Sequence, residues 1–373
     1  MKEGWQILNL EKCIEQVNNP NKIPKKSFRT EGNFPIISQE QEYINGYWSN
    51  EADLFHIKKP VVIFGDHTKV LKYVDFDFVV GADGIKILQP KDFLDPKFFY
   101  YFLNASPIKS LGYSRHYRIL KTLNVNFPTS LLEQRRIVTI LDKAFEEIGK
   151  AIANIEKNLA NARELFGSYL KGIFKKRADG WSIKRISDIC EILDNKRIPI
   201  TKSKRQSGGI PYYGASGVVD YVADFIFDED LLLVSEDGAN LIARTYPIAF
   251  SISGKTWVNN HAHVLRFDNI ASQKFIEHYL NSISLEPYVS GMAQPKFNQK
   301  ALNSISVPFP PIKEQAKIVK SIEKINSESK RLRIIYKRKI TAFANLKQSL
   351  LQKAFAGELT DKPEPVIKEE AIA

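Results

Sequence analysis

The chain carries an internal repeat, and this constrains its fold more than any other feature, because a duplicated unit sets both the number of folding modules and their likeness. Gly4-Trp5 returns as Gly180-Trp181, Cys13 as Cys190, Lys22-Ile23-Pro24 as Arg197-Ile198-Pro199, and Phe34-Pro35-Ile36 as Ile210-Pro211-Tyr212, at offsets of 175 to 177. Lys97-Phe98 and Leu103-Asn104 return 177 residues on, Gly112 returns as Gly291 at 179, and Glu133-Gln134 with Ile137-Val138 returns as Glu314-Gln315 with Ile318-Val319 at 181. The two cysteines therefore fill one equivalent position in two copies. They are too few for a disulfide framework and lack the spacing of a zinc site, which predicts buried structural thiols.

Each copy has two parts of different character. The first, of about 130 residues, is rich in aromatic and β-branched residues broken by turn signals: Pro60 to Gly65, Phe76 to Val80, Ile85 to Leu88, then Asp228 to Val234 and Trp257 to Phe267. That pattern predicts strands of a mixed α/β domain. Pro96 to Asn104 and its partner Gln273 to Asn281 have the apolar density of a short buried helix. The second part is a long helix. Ser130-Leu131-Leu132-Glu133 forms a capping box, and Lys175-Lys176-Arg177 suits the negative end of the helix dipole before Gly180.

Between those ends the apolar residues step by four and three: Leu141, Phe145, Ile148, Ile152, Ile155, Leu159, Ala162, Phe166, Tyr169, Ile173. After Pro311 the second copy repeats the pattern as Ile322, Ile325, Leu332, Tyr336, Phe343, Leu346 and Leu350, with polar Ser329 and Lys339 interrupting. A mean period of 3.5 marks a coiled-coil seam. A 45-residue helix spans about 65 Å, too long to bury its stripe against one domain alone. The predicted seam therefore pairs Leu141, Ile148, Ile155, Ala162 and Tyr169 with Ile322, Leu332, Tyr336, Phe343 and Leu350. The expected fold class is α+β: two mixed α/β globular domains separated by two long helices that pair as an antiparallel coiled coil, with an internal pseudo-two-fold repeat that places the domains at opposite ends. The expected boundaries are 1–130 and 178–310 for the domains, 131–177 and 311–357 for the helices, and 358–373 for an acidic, flexible tail.

Charge narrows the partner. With 54 Lys+Arg against 42 Asp+Glu the net charge is +12, which favours a polyanion. The excess is not uniform: residues 133–177 carry 10 basic and 6 acidic side chains and 312–356 carry 12 and 3, whereas 178–311 carry 13 and 14. No stretch reaches the roughly eighteen apolar residues of a membrane span, and Met1-Lys2-Glu3-Gly4-Trp5 lacks an apolar signal core, so the expected location is cytoplasmic, without a membrane partner.

Catalytic signatures are missing. No Gly-x-x-x-x-Gly-Lys-Ser/Thr phosphate loop, Gly-x-Gly-x-x-Gly fingerprint or Asn/Asp-Pro-Pro-Tyr/Phe tetrapeptide occurs. His261 and His263 would share a strand face, but no Cys or acidic residue joins them at metal-ligand spacing, and Asp66, Asp83, Glu236 and Asp237 read as solvated turn residues. No catalytic residue and no metal ligand is assigned. Basic residues interleaved with aromatics are the better lead. Lys22, Lys25, Lys26 and Arg29 precede Phe34-Pro35, with Arg115 and Arg118 near the end of that domain. The second domain offers Lys196, Arg197, Lys202, Lys204 and Arg205 ahead of Tyr212-Tyr213, with Gln294 and Lys296 near its end. Lys and Arg neutralise phosphates, while Arg and Gln can read base edges bidentately.

At these residues the sequence resembles the specificity (S) subunits of type I restriction-modification systems. The likeness rests on the two Gly-Trp openings, the Lys/Arg-Ile-Pro triplets, Gly209-Ile210-Pro211-Tyr212-Tyr213-Gly214-Ala215-Ser216-Gly217, Ala293-Gln294-Pro295, Pro308-Phe309-Pro310-Pro311-Ile312-Lys313-Glu314-Gln315, and the ending from Leu346 to Leu359. The first copy departs, with Phe127-Pro128-Thr129-Ser130 in place of Phe309-Pro310-Pro311 and Tyr113-Ser114-Arg115-His116 in place of Met292-Ala293-Gln294-Pro295. The resemblance implies a non-catalytic DNA reader: two target recognition domains, each taking one half of a bipartite site in double-stranded DNA, with the helices fixing the gap. It also implies two docked methyltransferase (M) subunits and restriction (R) subunits, which hold S-adenosylmethionine, ATP and Mg, leaving no cofactor on this chain. Rival readings are the recognition region of a restriction-methyltransferase or nuclease enzyme, and a protein-only coiled-coil scaffold.

Overall fold

The computed structural model describes residues 2–17, 20–82, 84–109, 112, 114–175, 180–291 and 294–360, apart from the side chain of Arg163. It divides into two compact units, Met1–Ile155 with Arg338–Ala373, and Glu156–Lys337. Each unit holds one globular domain together with a stretch of both long helices, Leu131–Lys175 and Ile312–Ala356.

In the first unit, Trp5–Asn9 pairs antiparallel with Asn124–Pro128, joining the start of the domain to its end. An antiparallel sheet runs Ile14–Glu15, Ile85–Pro90, Val61–Gly65, Leu71–Val74 in spatial order. A second sheet joins Lys22–Ile23 and Phe34–Ile37, both parallel to Phe78–Gly81, and adds Gly46–Trp48 and Leu54–Phe55. Helix Pro96–Ala105 covers the antiparallel sheet. Asp95 caps it by accepting from the Lys97 and Phe98 N–H groups at 3.0 Å, and Pro96 needs no donor at that position. Phe98, Phe99 and Phe102 then meet Val62, Phe64 and Leu88 in one core.

The second domain repeats the plan. Ser182–Arg185 pairs with Ser306–Phe309, and the spatial order Glu191–Ile192, Ala262–Arg266, Leu231–Ser235, Ala249–Ile252 matches the first antiparallel sheet strand for strand. Helix Ile270–Ser282 covers it, capped by the Asn269 side chain on the Ser272 N–H at 2.8 Å. A further sheet runs Gly217–Val222, Ser207–Gly214, Lys255–Val258, Phe227–Asp228. The expected single run from Trp257 to Phe267 is two strands, because the Asn259 side chain accepts from the His261 N–H at 2.8 Å and turns the chain there.

The repeated Glu-Gln pair has a structural cause. Gln134 is fully buried: its Nε2 donates to the carbonyls of Phe93 and Pro128, and its Oε1 accepts from the Asp95 N–H. Gln315 does the same in the second copy, donating to the Pro310 carbonyl and accepting from the Ser272 hydroxyl. Each glutamine thus ties the first turn of a long helix to the cap of its domain's covering helix. The Ala354-Phe355-Ala356-Gly357 ending is tied in too. Phe355 packs edge-on against Phe98 and Phe102, its carbonyl accepts from Asn126 Nδ2 at 3.1 Å, and Gly357 turns at φ +79° against Lys2 and Trp5.

The long helices run antiparallel within each unit. In the first, Ile137 and Leu141 share a core with Leu351 and Ala354, and the Lys347 ammonium lies 5.5 Å over the Phe145 ring. In the second, the Tyr169 and Ser321 hydroxyls are 2.6 Å apart, Ser329 donates to the Ala162 carbonyl at 3.1 Å, and Phe174 joins Val319 in the domain core. Leu141, Ile148, Ile155 and Ile322 are buried, while Ala162, Tyr169, Tyr336, Phe343 and Leu350 are half-buried. Leu332 corrects the expected seam. It is 43% exposed, because the inward stripe at that turn runs through Ser329, Arg333 and Tyr336, one residue away. Lys339 likewise points outward, and Ile340 takes the inward place. Each helix buries its first turns against the domain it follows and its last turns against the other domain.

Both cysteines are free thiols, Cys13 buried and Cys190 half-buried. Burial pushes the Cys13 thiol up to about 11 and the Cys190 thiol up to about 12, which keeps both protonated and unreactive near neutral pH. Lys176 and Arg177, expected at a helix end, and the acidic tail from residue 361 lie outside the described residues.

Candidate nucleic-acid interface

In the second domain, two short turns, Asp194–Lys196 and Lys202–Lys204, lead into the hairpin of Ser207–Gly214 and Gly217–Val222. Lys196, Lys202 and Lys204 are exposed. Arg205 folds back, its guanidinium 4.4 Å over the Tyr212 ring and its Nη1 2.9 Å from Asp220. Tyr212 is only 1% exposed, and its hydroxyl accepts from the Ile200 N–H at 3.0 Å. This corrects the expectation for both residues: Tyr212 belongs to the core, and Arg205 straps the Ile200–Arg205 arm onto the hairpin. Tyr213, half-buried, leans on Phe250 with centroids 6.1 Å apart.

Arg197 is a second correction. Its side chain is 12% exposed, with Nη1 2.6 Å from Glu236 and 2.7 Å from the Ala262 carbonyl, and Nη2 3.5 Å from Asp194. Fully buried His263 completes the cluster: Nδ1 lies 2.6 Å from Asp194, and Nε2 donates to the Phe297 carbonyl at 2.7 Å. Burial pushes the Asp194 carboxyl up, but hydrogen bonding to His263, its charge, the Val264 N–H and Arg197 outweigh it and hold the group below the usual carboxylate range. Asp194, Glu236 and His263 have the spacing of three metal ligands. Here the Arg197 guanidinium supplies the positive charge between the two acids, and both His263 nitrogens are engaged. The cluster also anchors a loop. Phe297 N–H donates to Glu236 O at 2.7 Å, and Ser290 and Lys296 exchange backbone bonds, which presents exposed Gln294 and Lys296. The hairpin adds residues the sequence reading did not single out: exposed Val218, Val219 and Tyr221, and Phe225 beneath the Lys255 ammonium at 4.6 Å.

In the first domain, Lys25, Lys26 and Arg29 are exposed and Lys22 is half-buried. Lys25 pairs with Glu40 at 2.9 Å, and Arg29 stacks 5.3 Å over Trp48. Arg115 and Arg118 border a cavity of about 460 Å³ lined also by Asp66, Lys86, Tyr117 and Lys121. Lys86 and Lys121 were not singled out because one alternates along a strand and the other follows a short helix, and neither sits in a basic run. Asp66, Glu236 and Asp237, expected as solvated turn residues, are engaged instead: Asp66 is buried and accepts from the Tyr117 N–H at 2.7 Å, Asp237 meets His261 at 2.7 Å, and Glu236 holds Arg197. Asp83 lies outside the described residues. Among the described residues no helix is long and apolar enough to cross a membrane.

Two domains built on one antiparallel-sheet plan, each leading into a 45-residue helix and each exposing cations beside aromatic rings, define an internally duplicated α+β architecture. The family model for the type I restriction modification DNA specificity domain matches residues 2–157 and again 178–336, and the chain belongs to that family, the specificity subunits of type I restriction-modification systems. It is 24% identical over 355 residues to the EcoR124I/EcoR124II specificity subunit of Escherichia coli, covering 84% of this chain and 85% of that one. A putative type I specificity subunit of Haemophilus influenzae is 33% identical over 144 residues, which span 39% of this chain and 37% of that relative. Among solved structures, a chain of a type I R-M system superposes with a TM-score of 0.73 at 17% identity, covering 96% of this chain and 99% of that one. The HsdS subunit from Thermoanaerobacter tengcongensis superposes at 0.58 with 18% identity, covering 96% and 98%. Both share the fold.

Proposed function

We propose that this subunit reads a bipartite sequence in double-stranded DNA, one half-site per globular domain, while the paired helices set the gap. Two methyltransferase subunits dock on it and supply S-adenosylmethionine chemistry at adenine, and restriction subunits add ATP-driven translocation and Mg-dependent cleavage. This chain itself carries recognition. The observation that supports the reading best is the strand-for-strand repetition of one helix-covered antiparallel sheet, with exposed basic side chains in both copies, in a chain of the specificity family. Phosphate contacts would come from Lys25, Lys26, Lys196, Lys202 and Lys204. Base contacts would come from the loop and hairpin residues Tyr213 and Gln294.

Domain exchange tests the reading. Replacing residues 1–130 by the matching domain of another specificity subunit, followed by mapping of methylated adenines in a host carrying the methyltransferase, is expected to change one half of the motif. The other half and the gap should persist. A motif that changed in both halves would refute modular reading.

A further inference from the structure

The two domains treat one place in the fold differently. In the antiparallel sheet of the first domain Ile85 pairs with Gly65, the last residue of its neighbour strand, and in the second Ala262 pairs with Ser235 in the same way. Lys86 and His263, the next residues along, therefore hold one register position, and Lys22 and Arg197 hold another by the sequence repeat. In the second domain this place is closed by Asp194 and Glu236, which neutralise Arg197, and Asp194 also meets His263.

In the first domain Asp66 follows Gly65 as Glu236 follows Ser235, but its carboxylate accepts the Tyr117 N–H, and the place is bordered by cavities. Two adjoining cavities, of about 360 Å³ and 460 Å³, share Lys86 and Tyr117 as lining. The Lys86 ammonium lies 5.1 Å from the Tyr117 ring centroid and that of Lys121 lies 5.6 Å from it, so one ring carries two cations. Arg115 and Arg118 border the same cleft. Of the acids lining the two cavities, Asp66 accepts the Tyr117 N–H, Glu11 pairs with Lys121 at 3.0 Å and Glu15 pairs with Lys59 at 2.8 Å. Among the described residues no carboxylate lies within 4.0 Å of the charged nitrogens of Lys86, Arg115 or Arg118. Lys86, Arg115 and Arg118 leave the cleft with an excess of positive charge that an anion there would offset.

We propose that the cleft bordered by Lys86, Arg115, Tyr117 and Arg118 binds a backbone phosphate of duplex DNA, and that the second domain closes the corresponding place with its own carboxylates. The assignment rests on the DNA-reading function proposed above and makes the two domains electrostatically unequal. The first supplies a built phosphate clamp, which contributes the same affinity whatever the bases, and the second relies on exposed lysines of its turns.

Anisotropy titrations of the full chain with its methyltransferase partner, on cognate and random duplexes over a salt series, test it. Lys86→Met and Arg118→Met should each weaken both duplexes by the same factor and lower the slope of log affinity against log salt by about one. Lys86→Arg should keep both, and Arg118, being exposed, carries the test if Lys86→Met melts early. An unchanged slope in a folded, DNA-binding double variant would overturn the phosphate site while leaving the proposed function standing. So would a loss confined to the cognate duplex, which marks a base contact. Release of DNA by AMP at fixed ionic strength would reassign the cleft to a free nucleotide. A wild-type complex that bound no duplex would remove the proposed function and the cleft together.

Discussion

A lysine on an exposed turn and an arginine locked between two carboxylates have opposite consequences when removed. Lys202→Ala and Lys204→Ala should each weaken binding to all duplexes and lower the salt slope by about one, with unchanged melting. Tyr213→Ala and Gln294→Ala should instead weaken the cognate site preferentially, and equal loss on cognate and random duplexes for all four variants would refute the division. Arg197→Ala belongs to neither group. It strips the counter-charge from Asp194 and Glu236 and should lower the melting temperature before any DNA is present. The same cluster sets an acid limit. The folded Asp194 carboxyl titrates below its usual 3.8, so its ionised form contributes stability that is fully present above that value and is lost as pH falls through the lower folded one. Thermal melts from about pH 6 to about pH 2 should show a fall in this window that Asp194→Asn flattens. A variant with an identical pH profile would show that Asp194 does not govern it.

At the scale of elements, stability is concentrated where helices join domains. Gln134 and Gln315 each satisfy two or three buried polar groups, and replacing either leaves those groups without partners. Gln134→Ala and Gln315→Ala should each cost about 1–3 kcal/mol in chemical denaturation, an effect that changes at the exposed neighbour Leu132 should not produce. The Cys13 and Cys190 positions are of the same structural kind. Repetition at these sites follows from packing, since a helix start must be docked in the same way in both copies. Away from the helix ends, Ser329 donates to the Ala162 carbonyl where an apolar residue would otherwise interdigitate.

At the scale of the whole molecule, the proposed spacer makes a quantitative prediction. Adding seven residues after Ile155 and seven after Tyr336 preserves the seam's mean period of 3.5. The pair lengthens by about 10 Å at about 1.5 Å per residue. Duplex DNA rises about 3.4 Å per base pair, so site selection from a library of randomised gaps should favour half-sites about three base pairs further apart. Those base pairs also rotate the second half-site by roughly 100 degrees, so loss of binding is the competing outcome. An unchanged gap preference in a folded, DNA-binding variant would show that the helices do not set the spacing. Four residues inserted in one helix alone should destabilise the protein, because the seams no longer match.

The sequence by itself determined the duplication, the strand-rich character of each domain, both 45-residue helices and the Ser130 hydroxyl that accepts from Glu133 N–H at the start of the first, because these depend on local periodicity and on residues close in the chain. It also sufficed for the family, through the repeated Glu-Gln helix starts, the Gly-Trp openings and the ending at Leu359. Only the tertiary structure decided which basic residues are available. Arg197 is neutralised by Glu236, 39 positions away, and Arg205 by Asp220, while Tyr212 is buried by a hairpin whose register no local signal sets. Leu332 lost its inward place to a stripe one residue over, which depends on how two distant helices meet. The cleft around Lys86 and Tyr117 joins a strand to a short helix 31 residues on, and its unpaired cations are visible only against the closed cluster of the other domain. Local pattern specifies elements because its forces act between chain neighbours. Exposure and charge compensation are set by contacts between residues far apart in sequence, and those exist only once the chain has folded.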